Sequence, residues 1–145
     1  MPNTLEALAR ADIASKEMNG LIRHIPYAQF LGLESISIGD DFIFKLPKNG
    51  DHIGNPTLPA IHGGVLGGFM ETCGALYVMM FSEVFTVPKV VDFSIDYVSP
   101  GRHCDSFASC DVVRQGRNIA NVAITAWQSQ PDKPIATART HFLLT

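Results

Sequence analysis

A chain of 145 residues is long enough for one domain with its own core. With 46% apolar and 17% charged residues it is globular rather than disordered in composition. A net charge of −3, with no run of Lys or Arg, counts against a nucleic-acid-binding surface. Cys73, Cys104 and Cys110 share no CxxC or Cys–His spacing. They read as reduced thiols of a cytoplasmic protein, without a disulfide frame or a metal site. Glu6, Arg10, Asp12, Lys16 and Glu17 leave the N-terminal segment without the apolar stretch of a signal peptide.

In chain order, Leu5, Leu8, Ala9 and Ile13 recur at helical spacing, which predicts an amphipathic helix from Thr4 to about Leu21. Asn3 or Thr4 is its N-cap, and Gly20 its stop. Residues 25–31 predict one further helical turn, and this N-terminal unit is expected to cover one side of a sheet. Residues 33–38 and 42–46 alternate in polarity across Gly39-Asp40-Asp41, a hairpin signal. Residues 48–60 are polar, hold Gly50, Gly54, Pro56 and Pro59, and read as a long loop.

Residues 61–81 (IHGGVLGGFMETCGALYVMMF) predict a long buried helix, nearly apolar all round. About 20 helical residues span ~30 Å, the thickness of a bilayer core, but Glu71 at the midpoint argues against a membrane span. A helical wheel puts Val65, Phe69, Thr72, Cys73, Leu76 and Met80 on one stripe, opposite Gly67, Glu71, Gly74, Ala75 and Val78. Strands are predicted at 90–98, 106–113, 118–128 and 135–144, joined by short turns and therefore antiparallel. The fold class is α+β, with one curved antiparallel sheet around one long helix.

Three features carry candidate chemistry. Glu71 is a carboxylate on a buried helix, so it must be paired, protonated or used. His62-Gly63-Gly64 opens the same helix, where free N–H groups and the positive end of the dipole suit an anion or oxyanion. His62 reads as a cap rather than a base. Gly64, Gly67, Gly68 and Gly74 leave room beside the helix for a ligand or a partner. Asn55 and Thr57 either point into the site or simply form an Asn-Pro turn. Arg102, Arg114 and Arg117 lie at strand ends and turns, where grouped they would suit phosphates.

The run Asn55-Pro56, Ile61-His62-Gly63-Gly64-Val65, Glu71, VVDFSIDYVSPGR, VVRQGRNIANVAITAW and IATARTHFLL resembles the hotdog-fold acyl-CoA thioesterases of the phenylacetate-pathway (PaaI-type) family. The resemblance implies a helical extension over 1–30 and a hotdog domain over 31–145. It implies hydrolysis of an acyl-CoA, with Glu71 as general base or nucleophile and the Gly63 N–H as oxyanion donor. It also implies a site shared by two subunits that pair through residues 90–98 as a homodimer or tetramer. Asn55 would position water or carbonyl, although it stands seven residues before His62 where the family has six. Arg102, Arg114 and Arg117 would meet the phosphates of CoA, which is substrate; no cofactor or metal is expected. The rival readings are a hotdog enoyl-thioester hydratase and a non-catalytic acyl-CoA-binding protein.

Overall fold

The computed structural model describes residues 4–145; Asn3, one of the two expected N-caps, lies outside them. Three short helices come first: α1 (Thr4–Ala14), α2 (Met18–Ile22) and α3 (Pro26–Leu31). The single helix expected over 4–21 is broken, because Lys16 takes a left-handed φ of 58° that a helix cannot contain. Gly32, at φ 75°, ends α3 in the left-handed conformation that glycine takes without strain.

The hairpin β1 (Glu34–Ile38) and β2 (Asp41–Leu46) follows as expected. The stretch read as a loop contains more order than its composition suggests. A 3₁₀ turn at Gly50–His52 leads into a small ladder of β3 (Ile53–Asn55) and β4 (Ala60–Ile61). Then come α4 (Gly63–Phe81), β5 (Lys89–Tyr97), β6 (Ser106–Gln115), β7 (Ile119–Trp127) and β8 (Pro134–Leu143). The main sheet is antiparallel, in the order β1-β2-β6-β7-β8-β5.

The core lies between α4 and one face of this sheet. Phe42, Phe44 and Leu46 of β2, Val122, Ile124 and Ala126 of β7, and Ala136, Ala138 and Phe142 of β8 alternate onto that face and are buried. From α4 come Leu66, Phe69, Met70, Cys73, Leu76 and Met80. The buried stripe is therefore rotated from the expected one: Leu66 and Met70 join it, while Val65 and Thr72 are only half-buried. Gly74 lies on the sheet side, where a Cβ would stand 3.2 Å from Phe142 and 3.4 Å from Ile124. Its missing side chain admits the sheet, not a ligand, which corrects the expectation for this residue.

The N-terminal helices lie on α4 rather than across the sheet, although α2 also reaches β1. Met18, Leu21, Ile22, Ala28 and Leu31 bury into the same core as α4. α4 is long and apolar enough to cross a membrane, but half of its most apolar stretch is buried inside the protein.

Candidate active site

The site is built at the N-terminal end of α4. The β4 strand delivers the chain there, with Ile61 N–H donating to Gly101 C=O at 2.8 Å and His62 N–H to His52 C=O at 2.9 Å. Gly54 permits this close approach, since a Cβ on it would meet His62 at 2.8 Å. His62 is the N-cap: its Nδ1 accepts the Gly64 N–H at 2.8 Å. The imidazole thus carries its proton on Nε2 when neutral, and its lone pair is committed to the backbone.

A helix start leaves four backbone N–H groups without intrahelical partners. Here Gly64 donates to His62 Nδ1, while Val65 and Leu66 donate to His62 C=O at 2.9 and 3.3 Å. The Gly63 N–H alone in this turn has no acceptor among the described residues. It is also the donor nearest the positive end of the helix dipole. From the other side, Tyr97 Oη donates to the Gly63 carbonyl at 2.8 Å. Two consecutive glycines have wide backbone freedom, and His62 and Tyr97 restrain them from both sides.

Two turns on, Glu71 is half-buried, and it forms no hydrogen bond or ion pair with any described residue. Its neighbours on the helix surface, Gly67 and Gly68, present no side chain. A Cβ on Gly67 would stand 3.8 Å from Phe93 of β5, whereas the Cβ space of Gly68 is filled by the Tyr27 hydroxyl of α3. Glu71 therefore lies in a trough between the β5 edge and α3. The expectation of a helix buried all round is corrected here: this flank of α4 is open.

The other expected site residues are spread out. The Asn55 Oδ1 accepts from Thr57 N–H at 3.0 Å and Leu58 N–H at 3.4 Å, closing its own turn. Arg102 lines an open cavity of about 510 Å³ at the Gly63 end, together with Lys133. Arg114 and Arg117 lie at the far end of β6, where Gln115 Nε2 donates to Ser82 Oγ at the C-terminus of α4. A ten-residue strand is ~33 Å long, so one chain does not group the three arginines. Tyr97 was not singled out as a site residue from the sequence; its place at the end of the apolar face of β5 was the available signal. Among the described residues no group of His, Cys, Asp or Glu could hold a metal.

Residues 58–135 match the family model described as Thioesterase superfamily. A Chromobacterium violaceum protein of known structure is 37% identical, with a TM-score of 0.76 over 94% of this chain and 96% of its own. A Ralstonia eutropha protein described as a putative thioesterase, phenylacetic acid degradation-related, is 19% identical, with a TM-score of 0.74 over 88% of this chain and 98% of its own. A Bacillus halodurans protein solved with CoA is 22% identical, with a TM-score of 0.72 over 100% of this chain and 96% of its own. Among proteins with curated functions, none matches in sequence.

Proposed function

The chain belongs to the thioesterase superfamily, and on that footing we propose that it hydrolyses an acyl-CoA to coenzyme A and a carboxylic acid. The observation that carries the reading is one pairing on α4. A half-buried carboxylate without a partner among the described residues follows eight residues after the one N–H of the first turn that lacks an acceptor among them. The thioester oxygen accepts the Gly63 N–H, and the helix dipole stabilises the negative charge that develops there. Glu71 then attacks the carbonyl carbon to form an anhydride that water opens, or it takes the proton of an attacking water. In either course the C–S bond breaks, and the sulfur leaves as thiolate and is protonated.

Eight residues of helix are ~12 Å, so Gly63 and Glu71 of one chain cannot serve the same carbonyl. The exposed edge of β5 supplies the solution. Antiparallel pairing of this strand with its copy sets two α4 helices side by side in opposite directions, Glu71 of one toward Gly63 of the other. The same pairing turns the Arg114 and Arg117 end of one subunit toward the Arg102 and Lys133 end of its partner, which suits CoA phosphates. The CoA held by the Bacillus halodurans relative supports that substrate class. Asn55 keeps its Nδ2 for a water or carbonyl. The setting is cytoplasmic.

The test is release of free thiol from a panel of acyl-CoAs by wild type, Glu71→Gln and Glu71→Ala. The expected loss in kcat is at least ~10²–10³, the scale of removing one strong transition-state contact. Wild-type kcat/KM in both variants would overturn the mechanism. Hydration of crotonyl-CoA without thiol release would point to a hydratase instead.

A further inference from the structure

A second cavity begins one residue beyond Gly63, and nothing in the proposed mechanism uses it. Its volume is about 310 Å³, and it is walled by Tyr27 and Phe30 of α3, His52 of the 3₁₀ turn, and His62, Gly64 and Val65. The Tyr27 and Phe30 rings are stacked, with centroids 6.2 Å apart. With Val65 they give the cavity an apolar wall.

The same cavity also presents polar groups that bond to no described residue. His52 is only 6% exposed, yet its imidazole forms no hydrogen bond to any described residue. Its ring nitrogens are open to the cavity, and a ligand that displaced their water without a hydrogen bond of its own would lose ~1–3 kcal/mol. The Tyr27 hydroxyl, placed over Gly68, likewise has no hydrogen-bond partner among the described residues. Asp51 stands at the rim, so a ligand bringing a second carboxylate would be repelled. A volume of about 310 Å³ is at the small end of ligand sites, which suits a short group.

We propose that this cavity receives the acyl group, and that His52 and Tyr27 select a short acyl group bearing a neutral hydroxyl or oxo oxygen. The inference rests on the thioesterase reading for the position of the thioester at Gly63. A plain alkyl group would fill the space but leave His52 and Tyr27 unpaired, and sites of that kind discriminate strongly against the analogue that lacks the oxygen. Both residues precede the matched segment 58–135, so this selectivity belongs to the α3 and 3₁₀ segments.

The experiment compares butyryl-CoA with 3-hydroxybutyryl- and 3-oxobutyryl-CoA in thiol release. In parallel, Kd is measured by calorimetry for the matching non-hydrolysable thioether analogues. Wild type should prefer the oxygenated member by at least about tenfold in both readouts, and Tyr27→Phe and His52→Leu should each bring that ratio toward one. A wild-type ratio near one, or a ratio retained in Tyr27→Phe, overturns the inference. If no acyl-CoA releases thiol, the thioesterase reading fails, and the Kd ratio still decides the cavity. Should His52→Leu fail to fold, the exposed Tyr27 position decides alone.

Discussion

Tyr97 and His62 hold the Gly63–Gly64 peptide, one at its carbonyl and the other at its N–H, next to the Gly63 N–H on which the proposed chemistry depends. Tyr97→Phe removes only the hydroxyl that donates to the Gly63 carbonyl. A neutral hydrogen bond is worth ~1 kcal/mol, so the thermal midpoint should fall by about 2–4 °C and kcat by about fivefold, with KM nearly unchanged. An unchanged kcat would show that the Gly63 turn needs no such restraint. His62→Ala should cost ~1 kcal/mol of stability by removing the cap, while His62→Asn should restore most of it. If His62 were the base, the Asn variant would be stable and inactive; urea unfolding and thiol release together separate the two roles. The thiols follow burial. Desolvation raises Cys73 and Cys110 well above the ordinary thiol range, the neighbouring cysteine adding to Cys73 and Asp41 to Cys110. Exposed Cys104 should therefore be the one labelled by iodoacetamide at neutral pH in the native protein. At this scale the sequence was partly legible. Glu71 and Gly63 stand out because a carboxylate and paired glycines conflict with an apolar helix. Tyr97, Tyr27 and His52 do not stand out, because their roles depend on which strand and loop come to lie beside α4. The Asn55 amide was open to two readings, and only the folded loop gives its oxygen to Thr57 and Leu58.

Along α4, the hydrophobic run marks the helix but not its orientation. Nearly every position is apolar, so a wheel has no polar arc wide enough to fix the buried stripe. The sheet fixes it instead, through Leu66, Phe69, Met70 and Cys73. The glycines divide accordingly, and substitution should expose the division. Gly74→Val forces atoms against Phe142 and Ile124 and should destabilise by ~1–3 kcal/mol. Gly67→Ala places a Cβ in ordinary contact with Phe93 and should stabilise by up to ~1 kcal/mol through helix propensity. It should also lower kcat/KM by narrowing the trough beside Glu71. Equal effects of the two substitutions on denaturant midpoints would contradict this assignment of faces. The strands were legible because polarity alternation and turn residues agreed from residue 90 onward. The β3–β4 ladder was not, since five residues in two pieces carry no periodicity. The break at Lys16 was hidden as well: it rests on a left-handed residue that no local glycine announces.

For the molecule as a whole, the main sheet ends at β5, which pairs on one side only, with β8. Val91 is 59% exposed and Val98 59% exposed at this edge. A nine-residue edge strand that exposes Val90, Val91 and Tyr97 among its polar residues is a template for another strand, and natural proteins seldom leave one uncovered. The α+β architecture could be argued from the order of elements. The proposed division of the site between subunits could not, because its halves belong to one stretch of sequence and would meet only by symmetry. The proposed shared site is tested most directly by mixing two inactive variants. Glu71→Ala lacks the carboxylate. Gly63→Pro lacks the donor N–H at the first helical position, where proline is tolerated, and His62 at ψ 132° already has the backbone that proline requires before it. Pairing it with Tyr97→Phe removes the nearest contact of the new ring, and also the hydrogen bond that holds the ring carbons 3.1 and 3.2 Å away, which leaves the phenyl ring free to shift. After unfolding and refolding together in equal amounts, half the dimers carry one intact site, and thiol release should return to roughly a quarter of the wild-type rate. No recovery, with mixed dimers verified by mass spectrometry, would place Glu71 and Gly63 in separate roles and contradict the shared site.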